Sequence, residues 1–146
     1  MKKRINVLMI ILSVSLTASA QTVEKGPYTV YTIGKNVYHI EDANSAYPAG
    51  LHTDMDGKTT GMNNCSDMYL VAGKEKALLV DLSNFIRWDS TAVESLRSIV
   101  YDRTGDRELL ITVTHWHGDH TGMLPAFKDD PKARFWIPGE EFKGRD

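Results

Sequence analysis

Cysteine is nearly absent: Cys65 is the only one in 146 residues. No disulfide can therefore form within the chain, whatever its redox compartment. Near Met68 and Leu70, Cys65 reads as a small buried apolar side chain. Basic clusters are absent after Arg4 and the formal net charge is −2, so nucleic acid is a poor partner on bulk electrostatics. No apolar run reaches the roughly 20 residues that a membrane-spanning helix needs. Internal repeats and low-complexity segments are missing as well, which excludes solenoids and arrays. Histidine is scarce, at five residues, and none follows His120.

What is present begins with an address. Lys2-Lys3-Arg4 is a basic start, Ile5 to Leu16 is mostly apolar, and Ala18-Ser19-Ala20 fits the small-residue cleavage rule. A signal peptide over 1–20 is expected, with export to the bacterial periplasm or beyond and no membrane association after cleavage. No cysteine stands at the cleavage position, so a lipid anchor there is not expected. Cleavage also removes three positive charges, leaving the remainder more acidic than the whole chain.

Further along, Tyr28 to Ile33 and Asn36 to Ile40 flank Gly34-Lys35 and read as a hairpin. Residues 42 to 64 contain Pro48, Gly50, Gly57 and Gly61 and show no periodicity. They read as one long loop, a kind of segment that often carries function. Strands are expected at 66–72 and 76–81. A helix is expected from Thr91 to Asp102, with Thr91-Ala92-Val93-Glu94 as a capping box and Val93, Leu96, Ile99 and Val100 as its apolar stripe. Thr104-Gly105-Asp106 ends it, and a strand at 108–114 follows. His120 to Phe127 reads as a short helix disturbed by Pro125, residues 128–132 as a solvated turn, and Arg134 to Ile137 as a last strand. This order predicts an α/β fold, a mixed sheet with flanking helices.

The chemistry sits in His115-Trp116-His117-Gly118-Asp119-His120, which gathers three imidazoles and a carboxylate in one turn. The strand from Leu109 to Thr114 leads in and Gly118 supplies the bend. In an extended exit, side chains at i and i+2 point the same way, so His115 and His117 can grip one ion. Asp119 and His120 can then face a second. Imidazole and carboxylate suit zinc, and also iron or manganese. Trp116 points elsewhere, where a substrate could brush it.

The motif His115-x-His117-x-Asp119-His120 after an apolar strand resembles the signature of the metallo-β-lactamase superfamily. Ala77-Leu78-Leu79-Val80-Asp81 is similar to the family's earlier strand ending in aspartate, and Asn64 to Val71 to the strand before it. The resemblance spans about residues 28 to 140 and is most specific at the histidines. It implies a partial metallo-β-lactamase αββα sandwich, the first ββα half, with residues 21–146 as the N-terminal portion of a truncated domain. The family's remaining ligands, a histidine, a bridging aspartate and a last histidine, would lie later than any residue here.

The resemblance further implies a zinc-dependent hydrolase of one or two ions. In it, metal-bound hydroxide attacks an ester, lactone, lactam, thioester or phosphoester of a small-molecule substrate. By position, His115 and His117 would hold the first metal and Asp119 and His120 the second. Asp119 would also be catalytic, orienting the attacking hydroxide or receiving its proton. His120 stands where some lactamases of the superfamily have arginine, so the likeness is to members that bind the second metal through Asp-His. Asp81 is expected to bond a ligand histidine and steady the turn, and Thr114 to be an ordinary strand threonine. His39 reads as a structural histidine, while Tyr47 and His52 in the 42–64 loop are candidate substrate contacts. Two other readings stand beside the hydrolase: an iron-binding oxidoreductase of the same fold, and a catalytically incomplete fragment. Oligomeric state leaves no mark in the sequence.

Overall fold

Buried and more exposed side chains alternate along the strands, and that parity builds one covered sheet face. The computed structural model describes residues 21–42, 52–53, 59–60, 66–87, 89–140 and 142–143. The expected signal peptide, Tyr47, Cys65 and Trp88 lie outside the described residues. In β6 (Asp67–Ala72), Met68, Leu70 and Ala72 are buried while Asp67, Tyr69 and Val71 are exposed, the period of two that a half-covered strand shows. From β2 (Tyr28–Gly34), β3 (Val37–Asp42), β7 (Lys76–Val80) and β8 (Glu108–Thr112), the side chains of Val30, Ile40, Leu79, Leu109 and Ile111 join the same core.

With β1 (Thr22–Lys25) and β9 (Ala133–Phe135) at its edges, the sheet has seven strands in the order β1-β2-β3-β6-β7-β8-β9. Pairing is antiparallel from β1 through β7, then parallel for β7–β8 and β8–β9. A parallel pair needs a crossover, and α1 (Ala92–Thr104) supplies it between β7 and β8. Its Leu96, Ile99 and Val100 pack into the core. The result is the mixed α/β sheet with helices that the sequence predicts.

Several local expectations are corrected. The Thr91 capping box does not form; instead Asp89 Oδ1 accepts bonds from Thr91 N at 2.8 Å and Thr91 Oγ1 at 2.6 Å. An aspartate bonding two residues ahead competes with a cap made by the threonine itself. Val93 is exposed, and Ala92 and Ser95 take buried places on α1. The strand expected to 114 ends at Thr112, and the one expected to 81 ends at Val80 because Asp81 adopts φ +61°. The helix expected over 120–127 is two pieces, α2 (Gly118–Thr121) and a 3-10 turn at Leu124–Ala126. Pro125 is tolerated there because the start of a helical turn needs no N–H from it. Within the expected 42–64 loop, β4 (His52–Thr53) pairs with β5 (Thr59–Thr60). No described helix is long and apolar enough to cross a membrane.

Candidate metal centre

The register of β7 against β8 creates the site. Val80 pairs with Thr112 in parallel, so the residues just beyond each strand end also lie side by side. Asp81, buried at the tip of β7, accepts from Thr114 N at 2.7 Å and from Thr114 Oγ1 at 3.0–3.1 Å. Its Oδ2 also lies 3.0 Å from His120 Nδ1. Backbone bonds lace the same two segments together: Asp81 N to Thr112 O at 2.9 Å, Leu82 N to His120 O and Met123 N to Leu82 O at 2.8 Å, and Gly122 N to Ser83 O at 2.9 Å. Thr114, expected as an ordinary strand residue, lies beyond β8 and is a bonding partner of the Asp81 carboxylate.

Neighbouring groups favour particular tautomers of these rings. Asp81 can only accept, and its Oδ2, 3.0 Å from His120 Nδ1, favours the tautomer with the hydrogen on that nitrogen. The Thr114 hydroxyl donates to Asp81 and offers its lone pair to His115 Nδ1, 3.0 Å away. In these tautomers both imidazoles carry their lone pair on Nε2. His120 Nε2 faces Asp119 Oδ2 at 3.4 Å, and His115 Nε2 faces His117 Nδ1 at 3.0 Å. A lone pair and a carboxylate oxygen that face each other repel unless a proton or a cation lies between them.

Donor atoms of His115, Asp119 and His120 all lie within 4.8 Å of one another. Two donors on one tetrahedral zinc, with bonds of about 2.0–2.1 Å, stand about 3.3 Å apart. The His115–His117 and Asp119–His120 separations both fall close to that. The His117 ring meets the cluster at His115, while its backbone oxygen accepts from His120 N at 2.9 Å and Thr121 N at 3.1 Å and starts α2. Trp116 packs edge-on to the His117 ring at 4.7 Å. His39 stacks between Tyr31 and Tyr69 on the sheet face away from the core, with Nε2 2.6 Å from Asp67 Oδ1. His52 falls in β4, where only the backbone is described.

Neither a protein-family model nor a curated protein matches the sequence. Solved structures do. A metallo-β-lactamase from Erythrobacter litoralis, with β-mercaptoethanol in its active site, superposes with a TM-score of 0.54 at 17% identity, over 84% of this chain and 46% of that one. The chain has a metallo-β-lactamase fold, in part. FIM-1 from Pseudomonas aeruginosa in its mono-zinc form shares this metallo-β-lactamase fold with a TM-score of 0.51 at 15% identity, over 80% of this chain and 44% of its own. An NDM_FIM-1 like enzyme from Erythrobacter litoralis, also mono-zinc, gives 0.50 at 17% identity, over 82% and 47%. The chain thus spans less than half the length of the metallo-β-lactamases it matches.

Proposed function

We propose that the turn from His115 to His120 binds zinc and serves a hydrolase of the metallo-β-lactamase kind. The observation that supports this most is the convergence of His115, Asp119 and His120, with His120 Nε2 facing the Asp119 carboxylate. His115 and His117 would hold one ion, and Asp119 with His120 would hold a second where two are bound. When bound, zinc supplies Lewis acidity, polarising an acyl or phosphoryl oxygen and acidifying water. Asp119 lies at the start of α2 with its carboxylate partly exposed, where it would orient the attacking water and take its proton at Oδ2. Asp81, out of reach of solvent, would keep His120 in the tautomer that presents Nε2.

The substrate is proposed as a small hydrolysable acyl compound, with a lactam first among those to test because the structural neighbours are named for that activity. Export through the 1–20 segment belongs to the same proposal. Zinc titration of the full chain with metal analysis is expected to show stoichiometric uptake, and His115→Ala with His117→Ala is expected to abolish it. Uptake unchanged by that pair overturns the proposal. Stoichiometric iron with oxygen consumption overturns the hydrolase part, and turnover of a chromogenic lactam or a lactone supports it.

A further inference from the structure

Asp42 ends β3 with its carboxylate fully buried. A buried carboxylate is costly unless donors satisfy it. Among the described residues, Oδ1 accepts from Ser66 N at 3.2 Å, and Oδ2 from Ser83 Oγ at 2.6 Å and from Asn84 Nδ2 at 3.2 Å, with Asn84 N at 3.4 Å. None of these donors is charged. Three of these four bonds, among the described residues, go to Ser83 and Asn84, so the carboxylate shapes the chain there.

That chain is held in an unfavourable shape. Asp81 and Ser83 both have left-handed φ, +61° and +50°, a region that residues with a Cβ rarely adopt. Such geometry persists only where the surroundings over-determine it. From one side, Leu82 and Ser83 are bonded to His120, Gly122 and Met123 of the histidine turn. From the other side, Asp42 fixes the Ser83 hydroxyl. If Ser83 relaxed to an ordinary φ, its carbonyl would leave Gly122 N, and Leu82 and Asp81 would lose their alignment with His120.

We propose that Asp42 is a positioning residue for the metal turn. Through Ser83 it fixes the 81–84 loop, and so fixes the Asp81 carboxylate on His120 Nδ1 and Thr114. The inference rests on the zinc-binding reading above and adds to it a residue with no contact to any of the four donors. Every described partner of Asp42 donates, so Asp42→Asn is the informative change: it puts an N–H where an acceptor is required, at nearly constant volume. Ser83→Ala removes the linking hydroxyl and leaves the carboxylate in place. Asp130→Asn disturbs a different buried carboxylate, bonded to Arg97 and Tyr101, and is the control for general loss of stability.

The test is cobalt(II) titration of the full chain, read by the visible ligand-field bands as well as by affinity. Asp42→Asn and Ser83→Ala are each expected to weaken cobalt binding by about tenfold, the low end of the cost of losing a direct partner of a ligand, because they act one residue further out. They are also expected to shift the bands, while Asp130→Asn keeps the parental spectrum. Parental affinity and spectrum in Ser83→Ala overturn the inference, even if Asp42→Asn proves too unstable to titrate. An equal loss in Asp130→Asn overturns it too, because any weakened core would then suffice. A parental chain that takes up no cobalt overturns the metal reading itself, and this inference with it.

Discussion

At Gly122 the backbone has an ordinary helical φ of −58°, yet a Cβ there would lie 2.1 Å from Phe85 N, 2.4 Å from Asn84 C and 2.8 Å from Gly118 O. The residue is small because two backbones meet at it, not because of its own conformation. Gly122→Ala must therefore part the 81–85 loop from the histidine turn. We expect destabilisation of about 1–3 kcal/mol, the usual range for overpacking, seen as a lower urea midpoint, with weaker zinc uptake alongside. An unchanged midpoint would show that the two segments separate freely. Single residues were unevenly legible in the sequence. The donors His115, His117, Asp119 and His120 stand in six consecutive positions, so their grouping needs no tertiary knowledge. Asp42 carried a fainter signal: alternation in β3 puts it on the same face as Ile40, where a carboxylate must find donors. The identity of those donors, 24 and 41 positions away, was not readable.

At the scale of elements, α1 is tied to the segment after the histidine turn by a polar clamp. Arg97 bonds Ala126 O at 2.7 Å and Asp130 Oδ2 at 2.6 Å, and Tyr101 donates to the same Oδ2 at 2.7 Å. Burial pushes the Asp130 carboxyl up, but the Tyr101 hydroxyl, the Lys132 amide and the Arg97 guanidinium together hold it below its ordinary value of 3.8. The Tyr101 hydroxyl is pushed up, by burial first and then by Asp130, and stays protonated. A carboxylate whose folded value is depressed stabilises the fold above its unfolded value, and that contribution is lost as pH falls through the folded one. The parental chain should thus lose stability below about pH 4 more steeply than Asp130→Asn, which lacks this titration. Urea midpoints followed from neutral pH downward check this, and parallel curves would contradict it. The helix body was legible from its 3.6-residue period. Its start was not, because Asp89 and Thr91 compete for the same bonds and only the realised geometry decides between them.

For the whole molecule, metal binding and folding should be linked. The donors come from one turn, but their orientation depends on β7, β8 and the 81–84 loop being assembled. Metal would therefore bind the folded chain in preference to the unfolded one. Free zinc at about 100 times its dissociation constant would stabilise the fold by about 2.7 kcal/mol. Thermal unfolding should shift upward with zinc and return on chelation, and a midpoint indifferent to zinc would count against a centre built by the fold.

The sequence by itself determined the positions of the main strands, the body of α1 and the donor types in the histidine turn. Each of these is written in neighbours a few positions apart, as a period or a cluster. Only the tertiary structure decided that Asp81 meets Thr114 and His120, and that Asp42 braces the loop between them. Those contacts follow from strand register, Val80 against Thr112, and register is settled by burying one whole sheet face at once.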